Sequence, residues 1–351
     1  HTVTSTSGNI IRFGTEKITN WGDQSKLAIA FNEQVLLSRH RLESLDDNCI
    51  ILQESMWEDH EDELIRKNYA DAMEEMSSKN YRFISVPIEE EALKVVTNPS
   101  HGKKMFALGL LAEIYQRDLS IIEKQIANIF RFKSQKVIDL NIQLVKNGMA
   151  WARENLDFQF DLPSVPATEE RLVMNGNQAC ALGSVAAGME LCSMYPITPA
   201  TSVSHELAEF IENYGGIVHQ AEDEIAAAGV AIGASYAGKV ALTVTSGPGM
   251  ALKTEFLALA IMTEVPLVVL DVQRGGPSTG LPTKVEQSDL LSSLYGQPGD
   301  APHVVIAPRS IEECFHSMVT ARRIAETFRT VVIVLTDANL ATGVQQFTRP
   351  P

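Results

Sequence analysis

Short apolar segments alternate with helical patterns through the C-terminal half of the chain, and no other feature constrains the fold as strongly. Apolar strands that alternate with amphipathic helices are typical of a parallel sheet covered by helices on both faces. Ligands bind at the carboxyl ends of the strands in such sheets, so the loops there are the first candidates for function. The predicted strands cover 217–221, 240–245, 266–272, 304–307 and 331–336, and the predicted helices cover 224–236, 250–263 and 311–328.

The helix predicted at 224–236 is rich in small residues. Ala, Gly and Ser fill most of 226–238, and they also fill much of 179–188. Small side chains let a helix lie close to a sheet or to another helix. Around Ile225, Gly229 and Ile232 we therefore expect this helix to be buried on nearly every face.

The N-terminal half has a different texture. Apolar runs at 27–31 and 49–52 predict strands, with a helical pattern from Glu33 to Arg39 between them. The segment 104–156 is helix-rich and shows no chemical motif. This half is therefore interpreted as an α/β domain with a helical segment.

A domain boundary is predicted between residues 157 and 170. Periodicity is lost there and two prolines occur within fourteen residues. The sequence thus predicts an α/β chain with one domain at 1–156, a linker at 157–170 and a second domain at 171–351.

Composition excludes several classes of function. The chain has 351 residues and a formal net charge of -15 at pH 7, which repels phosphate backbones, so no nucleic-acid partner is expected. Its longest apolar runs, such as 265–270 and 331–335, are too short to cross a bilayer. No basic-then-apolar leader opens the chain, so a cytoplasmic location without membrane contact is expected. The start at His1 and the stop at Pro351 suggest a piece of something longer.

The four cysteines are far apart in the sequence. Because no Cys-x-x-Cys pair exists, neither a zinc site nor an iron–sulfur cluster is predicted from local spacing, and no metal ligand is assigned in this chain. Buried, reduced thiols are the expected state. The cysteines are Cys49, Cys180, Cys192 and Cys314.

The first candidate loop is Tyr195-Pro-Ile-Thr-Pro199. Two prolines bracket Thr198 and fix the direction of its hydroxyl group. Ser202 or Ser204 is then expected to cap the following helix. Without further context, a purely structural turn is the favoured interpretation of these residues.

The second candidate is the acidic run at 222–224, directly before the small-residue helix. Acidic residues in a first helical turn complement the helix dipole, which explains at least one of them. Glu224 is expected at the edge of an apolar layer, where a carboxylate can exchange a proton with a ring nitrogen.

Ser246-Gly-Pro-Gly249 forms the third candidate, at the start of the helix predicted from Met250. Glycines before a helix permit close approach of a ligand, and the helix terminus favours anions. The segment lacks the third glycine of a dinucleotide fingerprint and the Lys-Ser/Thr pair of a phosphate loop.

The fourth candidate is Arg274-Gly-Gly-Pro-Ser-Thr-Gly-Leu-Pro-Thr283, directly after a predicted strand. An arginine at a strand end, among glycines and hydroxyl residues, can grip a carboxylate in bidentate fashion. A flexible surface loop is the alternative.

Together the four loops resemble 2-oxoacid:ferredoxin oxidoreductases, in which the same motifs occur in the same order. The stretch 175–342 looks like the alpha-type, pyrimidine-binding thiamine pyrophosphate domain of that family. Residues 12–156 resemble its gamma domain through 20–23, 28–36 and 130–148. The glycine-rich segment that normally opens the gamma domain is absent, and so is the further alpha-subunit domain that the family has after the pyrimidine-binding domain. An incomplete chain is therefore expected.

The resemblance implies a role for each loop. Glu224 would hydrogen-bond N1′ of the cofactor's aminopyrimidine. The cofactor would also be lined by Pro196, Ile197, Thr198, Ser246 and Gly247. The substrate would be bound by Thr198, by Arg274 at its 1-carboxylate, and by Thr283.

The resemblance further implies an enzyme subunit of the 2-oxoglutarate synthase type. It would oxidatively decarboxylate 2-oxoglutarate to succinyl-CoA, with thiamine pyrophosphate as cofactor, coenzyme A as co-substrate and ferredoxin as electron acceptor. No Gly-Asp-Gly motif occurs in the sequence, so Mg²⁺ and a [4Fe-4S] cluster are expected on a beta subunit, in an (alpha-beta)2 heterotetramer. The alternatives are a pyruvate or broad-range 2-oxoacid enzyme, a transketolase-like or decarboxylase enzyme, and a non-catalytic scaffold or nucleotide-binding module.

Overall fold

A computed structural model describes residues 8–14, 16, 18, 20–163 and 168–350. The chain divides into two compact units, residues 1–165 and 166–351. The division falls inside the predicted linker at 157–170, of which residues 164–167 lie outside the described residues. The domain limits at 156 and 171 stay predictions.

The N-terminal unit combines a small parallel sheet with a group of helices. Its sheet has the order β1-β2-β3, and both strand pairs are parallel. The strands predicted at 27–31 and 49–52 and the helix-rich segment 104–156 are confirmed. The elements are β1 (Ser25–Ala30), α1 (Glu33–Arg41), β2 (Leu45–Glu54), α2 (Glu63–Met76), β3 (Arg82–Val86), α3 (Ile88–Leu93), α4 (Lys103–Ile114), α5 (Leu119–Ile129) and α6 (Gln135–Asn155), with short 3-10 turns at Ser55–Trp57 and Pro99–His101.

The C-terminal unit is built around a larger parallel sheet. Its elements are β4 (Arg171–Asn175), α7 (Gly176–Ala186), β5 (Leu191–Met194), α8 (Thr201–Phe210), β6 (Ile217–Gln220), α9 (Glu224–Tyr236), β7 (Ala241–Thr245), α10 (Gly247–Met262), β8 (Leu267–Gln273), α11 (Leu290–Tyr295), β9 (Val304–Ile306), α12 (Ile311–Phe328), β10 (Val331–Asp337), α13 (Ala338–Thr342) and β11 (Val344–Thr348), with a 3-10 turn at Ile211–Tyr214.

Within the described residues this sheet has six strands in the order β6-β5-β7-β8-β10-β9, all parallel. Every residue of β7 and β8 is buried, because helices cover both faces and apolar cores lie on each side. The predicted fold class, an α/β chain with parallel sheets covered by helices, is confirmed. The helices predicted at 224–236 and 311–328 have those bounds in the structure.

Two expectations about the C-terminal unit are wrong, and three of its strands were not predicted. Helix α10 begins at Gly247 rather than Met250, because the Ser-Gly-Pro-Gly segment itself forms the first helical turn. Helix α9 is not buried on nearly every face, since Ile225 is 45% exposed and Val230 is 36% exposed. The pattern also missed β5, which is only four residues long, and the antiparallel pair β4–β11.

Within the part of the chain that the structure describes, no helix combines the length and the apolar character needed to cross a membrane.

Candidate functional site

The four candidate loops lie side by side at one edge of the six-stranded sheet. They follow β5, β6, β7 and β8, and these strands are neighbours in the order β6-β5-β7-β8. The chain adds β6 on one side of β5 and β7 on the other, so the strand order reverses between β5 and β7. Ligands bind at such a switch point, outside the carboxyl ends of the strands. The topology thus brings together motifs that are spread over about ninety residues of sequence.

Glu224 is the first residue of α9. Asp223 caps that helix, since its Oδ1 accepts a hydrogen bond from the Ala226 N–H at 2.7 Å. Capping therefore accounts for Asp223 and leaves Glu224 for another purpose. The Glu224 side chain is 8% exposed, and within the described residues no hydrogen bond or salt bridge to its carboxylate occurs. A buried carboxylate is stabilised by a hydrogen-bond partner, so this one is suited to a donor from a ligand.

Gly249 lies directly against Glu224. A Cβ atom at position 249 would lie 2.9 Å from Glu224 Cγ, 3.1 Å from Glu224 Oε1, and would overlap Thr245 Oγ1. No larger residue fits without moving one of these buried neighbours. Because Gly249 has no side chain, the Glu224 carboxylate can occupy the space beside it.

The start of α10 carries several polar groups without internal partners. Ser246 Oγ and Thr245 Oγ1 are buried and have no hydrogen-bond partner within the described residues. The Gly247 N–H donates to Asp289 Oδ2 at 3.2 Å. Burial raises the pKa of Asp289, while the Gly247 N–H opposes this rise. The Thr245 and Ser246 hydroxyl groups therefore lie at a helix N-terminus with hydrogen-bonding capacity that the described residues leave unused, whereas the Gly247 N–H is paired with Asp289.

Arg274 connects the first and fourth loops. Its Nη1 donates to the Thr198 carbonyl oxygen and its Nη2 to the Thr279 carbonyl oxygen, each at 2.7 Å. Nε is buried without a partner among the described residues. Burial lowers the pKa of the guanidinium group, with Asp289 and then Glu224 opposing that effect. Arg274 thus connects two loops through their backbone oxygens. Its Nε–H and its remaining Nη hydrogens are left to donate hydrogen bonds to a ligand.

The Tyr195–Pro199 loop is held from below by a residue that the sequence did not single out. The Asn177 side chain is buried, and its Nδ2 donates to the Pro199 carbonyl oxygen at 2.9 Å and to Ser202 Oγ at 2.6 Å. The expected cap by Ser202 or Ser204 is wrong. Ala200 is the N-cap of α8 and no side chain caps this helix, because both serines lie inside it.

The members of this loop face different surroundings. Pro196 and Thr198 are exposed, whereas Ile197 is half-buried and packs against the apolar core beneath the sheet edge. Ile197 therefore anchors the loop on the core, while Thr198 lies on its exposed side.

Thr283 lies in the fourth loop. The loop closes on itself, since the Gly275 N–H donates to the Lys284 carbonyl oxygen at 2.9 Å and the Leu281 N–H to the Gly275 carbonyl oxygen at 2.8 Å. Thr283 is exposed, and within the described residues its side chain makes no hydrogen bond to Arg274. Arg274 lies beside Gly247, since a Cβ at position 247 would lie 3.8 Å from Arg274 Cγ, and it is near enough to Glu224 for that charge to act on its pKa. No hydrogen bond among the described residues joins the Thr283 side chain to this group.

Two further charged residues lie beneath the site and were missed. Lys253 of α10 and Asp271 of β8 are both fully buried. Burial, and then the charge on Asp289, raises the pKa of Asp271 well above its usual value. A lysine in the largely apolar segment 250–262 and an aspartate in an apolar strand were the available signals.

The four cysteines form no disulfide bond. Each of the four is buried and free. Among the residues that the structure describes, no group of three or more His, Cys, Asp or Glu side chains could hold a metal ion.

Two family models match adjacent parts of the chain. The model described as pyruvate ferredoxin/flavodoxin oxidoreductase matches residues 5–151. The model described as pyruvate flavodoxin/ferredoxin oxidoreductase, thiamine diphosphate-binding, matches residues 182–351. The second match includes all four candidate loops.

Curated relatives carry related names. The 2-oxoglutarate oxidoreductase subunit KorA of Mycobacterium tuberculosis is 44% identical over 258 residues, which are 71% of this chain and 39% of the relative. The 2-oxoglutarate synthase subunit KorA of Methanothermobacter marburgensis is 46% identical over 170 residues, which are 48% of this chain and 45% of the relative. The chain thus spans less than half the length of these relatives.

A solved structure is similar over nearly the whole chain. It is the 2-oxoglutarate:ferredoxin oxidoreductase of Magnetococcus marinus, determined with 2-oxoglutarate, coenzyme A and succinyl-CoA bound. The TM-score is 0.83 at 34% identity, and the match covers 96% of this chain and 56% of the other.

Proposed function

The chain belongs to the pyruvate ferredoxin/flavodoxin oxidoreductase family, and from that premise we propose that it holds the aminopyrimidine half of thiamine diphosphate in a 2-oxoglutarate:ferredoxin oxidoreductase. The observation that carries this proposal is Glu224, a buried carboxylate that lies against Gly249 and has no hydrogen-bond partner among the described residues. Such a carboxylate fits the ring nitrogen of an aminopyrimidine, which needs one protein group to hold a proton at N1′.

The residues around Glu224 fit the rest of the group. Ser246 Oγ is buried without a partner within the described residues, and Gly247 adds no side chain at the helix start. Pro196, Ile197 and Thr198 lie on the neighbouring loop, held by Asn177 and Arg274. When bound, thiamine diphosphate would supply the carbon nucleophile and the electron sink that allow carbon dioxide to leave a 2-oxoacid.

The chain's own contribution is to hold a proton and to orient the substrate. Glu224 accepts a hydrogen bond from N1′ when that nitrogen carries a proton. Thr198 donates its hydroxyl hydrogen to a substrate oxygen. Arg274 binds the 1-carboxylate through Nε and its remaining Nη hydrogens, with Thr283 approaching once a substrate fills the loop.

The substrate proposed is 2-oxoglutarate, with coenzyme A as the acyl acceptor. The relatives named for 2-oxoglutarate and the solved structure with 2-oxoglutarate and coenzyme A bound support this choice. A broad-range 2-oxoacid enzyme is the second candidate, because the alpha subunit of 2-oxoacid:ferredoxin oxidoreductase 2 of Aeropyrum pernix is 33% identical over 292 residues.

A partner chain completes the proposed enzyme. The relatives are named as subunits, and this supports a beta subunit that would hold the magnesium diphosphate and a [4Fe-4S] cluster and would pass electrons to ferredoxin. An (alpha-beta)2 assembly and a cytoplasmic location stay predictions.

The test is to purify the chain with its partner and to measure viologen reduction with coenzyme A and each 2-oxoacid. We expect turnover to be fastest on 2-oxoglutarate, and faster turnover on pyruvate would defeat the substrate assignment. In the variant Glu224→Gln we expect turnover to fall by roughly 100-fold or more while the complex still assembles, because the amide cannot hold the proton. Unchanged turnover of that variant would overturn the role of Glu224.

A further inference from the structure

Lys253 is a fully buried lysine directly beneath the proposed cofactor site. It belongs to α10, and none of its surface is exposed. Its Nζ donates a hydrogen bond to Thr243 Oγ1 of β7 at 2.8 Å. Within the described residues no carboxylate lies close enough to Nζ for a salt bridge. A buried ammonium group is costly without a counter-charge, so its position calls for an explanation.

Lys253 lies one turn of α10 beyond Gly249, the glycine against which Glu224 packs. Lys253 follows Gly249 by four residues, and residues four apart share a helix face. Glu224 lies against Gly249 on that face. The strand has the same two levels, since Thr245 borders Gly249 and Thr243, two residues earlier, accepts the hydrogen bond from Lys253. The ammonium group therefore lies at the depth of Thr243, and the carboxylate lies closer to the end of β7, at the depth of Thr245.

The charges around Lys253 make Glu224 its principal counter-charge. Burial lowers the pKa of Lys253 to about 8, and the Glu224 carboxylate is the first of the groups that oppose this shift, followed by Cys192, Asp271 and Asp223. Burial raises the pKa of Cys192 to about 12, so its thiol is neutral at pH 8.

The two aspartates that also face Lys253 are weaker sources of negative charge. Burial raises the pKa of Asp271 well above its usual value, which favours the neutral form of that carboxyl. Asp223 is exposed and already caps α9, so water screens its charge. Glu224 remains as the buried carboxylate for this ammonium group.

We propose that Lys253 is a positioning residue whose buried ammonium group stabilises the ionised Glu224 carboxylate, so that Glu224 can hold a proton at N1′ of the aminopyrimidine. This inference rests on the proposed function. An ionised carboxylate accepts a hydrogen bond from N1′–H, whereas a protonated one does not, so the ammonium group favours the protonated ring nitrogen. Loss of the Lys253 charge, by substitution or by deprotonation, weakens that hydrogen bond.

The experiment compares wild type with Lys253→Met in the complex purified with its partner chain. Thiamine diphosphate is titrated calorimetrically into the cofactor-free complex from pH 6.5 to 9.5, and kcat is measured by viologen reduction over the same range. An opposite charge nearby is typically worth at least about one pKa unit, so we expect cofactor affinity and kcat to be roughly tenfold lower in Lys253→Met at pH 7. Wild type should decline through about pH 8, the value at which Lys253 loses its proton, and should converge with the variant, which shows no such break.

Leu257→Met is the matched control, because Leu257 is a fully buried residue one turn further along α10. It alters packing without altering charge, and we expect it to keep the wild-type pH profile. In the Glu224→Gln background, Lys253→Met should have no further effect on cofactor affinity. If Lys253→Met fails to fold, wild type and Glu224→Gln suffice, since the break near pH 8 should occur only in wild type.

The two proposals fail in different ways. A wild-type rate in Glu224→Gln would overturn the proposed function. A large loss in Glu224→Gln together with a wild-type rate and pH profile in Lys253→Met would overturn the inference about Lys253 alone.

Discussion

Replacing Gly249 with alanine tests the geometry around Glu224 with a single methyl group. The added Cβ would lie 2.9 Å from Glu224 Cγ and 3.1 Å from Glu224 Oε1. Ordinary carbon–carbon contact begins at about 3.5 Å, so the carboxylate must retreat by roughly 0.5 Å or more. The same methyl group overlaps Thr245 Oγ1, and Thr245 is fully buried, so the strand offers little room on the other side.

The expected cost can be divided between stability and activity. Overpacking of this kind typically costs about 1–3 kcal/mol, of which the better helix propensity of alanine returns up to about 1 kcal/mol. A catalytic group displaced by a fraction of an ångström to one ångström can lose on the order of 100-fold in rate. We therefore expect Gly249→Ala to assemble and to unfold slightly earlier than wild type, with kcat lower by about 10- to 100-fold.

Gly233→Ala is the matched control for this experiment. Gly233 lies in α9, and a Cβ there would meet no atom within 4 Å. It should gain up to about 1 kcal/mol from helix propensity and keep the wild-type kcat. Both variants are measured in the purified complex by thermal unfolding and by viologen reduction. Wild-type turnover and cofactor affinity in Gly249→Ala would refute the close packing of Glu224 against this glycine.

Two further predictions concern the residues that support the site. Asn177→Ala removes the donor to the Pro199 carbonyl oxygen and to Ser202 Oγ. We expect the free energy of unfolding to fall by roughly 1–3 kcal/mol and the KM for the 2-oxoacid to rise. An unchanged KM would show that Asn177 does not hold this loop. Asp271→Asn removes a carboxyl whose pKa is raised on folding by burial. At pH values between the unfolded and folded pKa of Asp271, the folded wild type binds one more proton than the unfolded chain. Its free energy of unfolding therefore falls by up to about 1.4 kcal/mol per pH unit as pH rises. The variant should lose this pH dependence in urea unfolding, and the same pH dependence in both proteins would contradict the buried, unpaired carboxyl.

The sequence predicted the parallel sheet because its central strands are continuous apolar runs that helices cover on both faces. It predicted α9 and α12 to the residue, since Asp223 and Ser310 cap them with side chains that the pattern contains. It did not predict β5, because Leu191–Met194 includes Ser193 and spans only four residues. It did not predict the β4–β11 pair either, because those strands join opposite ends of the unit.

The residues of the site likewise divide into those that the sequence could predict and those that it could not. Glu224 could be selected because three acidic residues before a helix exceed the needs of capping, and the structure assigns the cap to Asp223. Asn177 could not be selected, since it lies about twenty residues before the loop that it holds and nothing local marks it. Lys253 was visible as a lysine in a largely apolar helix, but only the fold reveals that it is fully buried beneath Glu224.

The central claim is that Glu224 is the partner of the cofactor's aminopyrimidine ring. It is tested most directly by determining the structure of the purified complex with thiamine diphosphate bound and measuring the distance from the Glu224 carboxylate to N1′. We expect a hydrogen bond of about 2.6–3.0 Å, with Ser246 and Gly247 beside the ring. A cofactor bound with N1′ facing a different carboxylate, or bound away from the β5, β6 and β7 loops, would contradict the account.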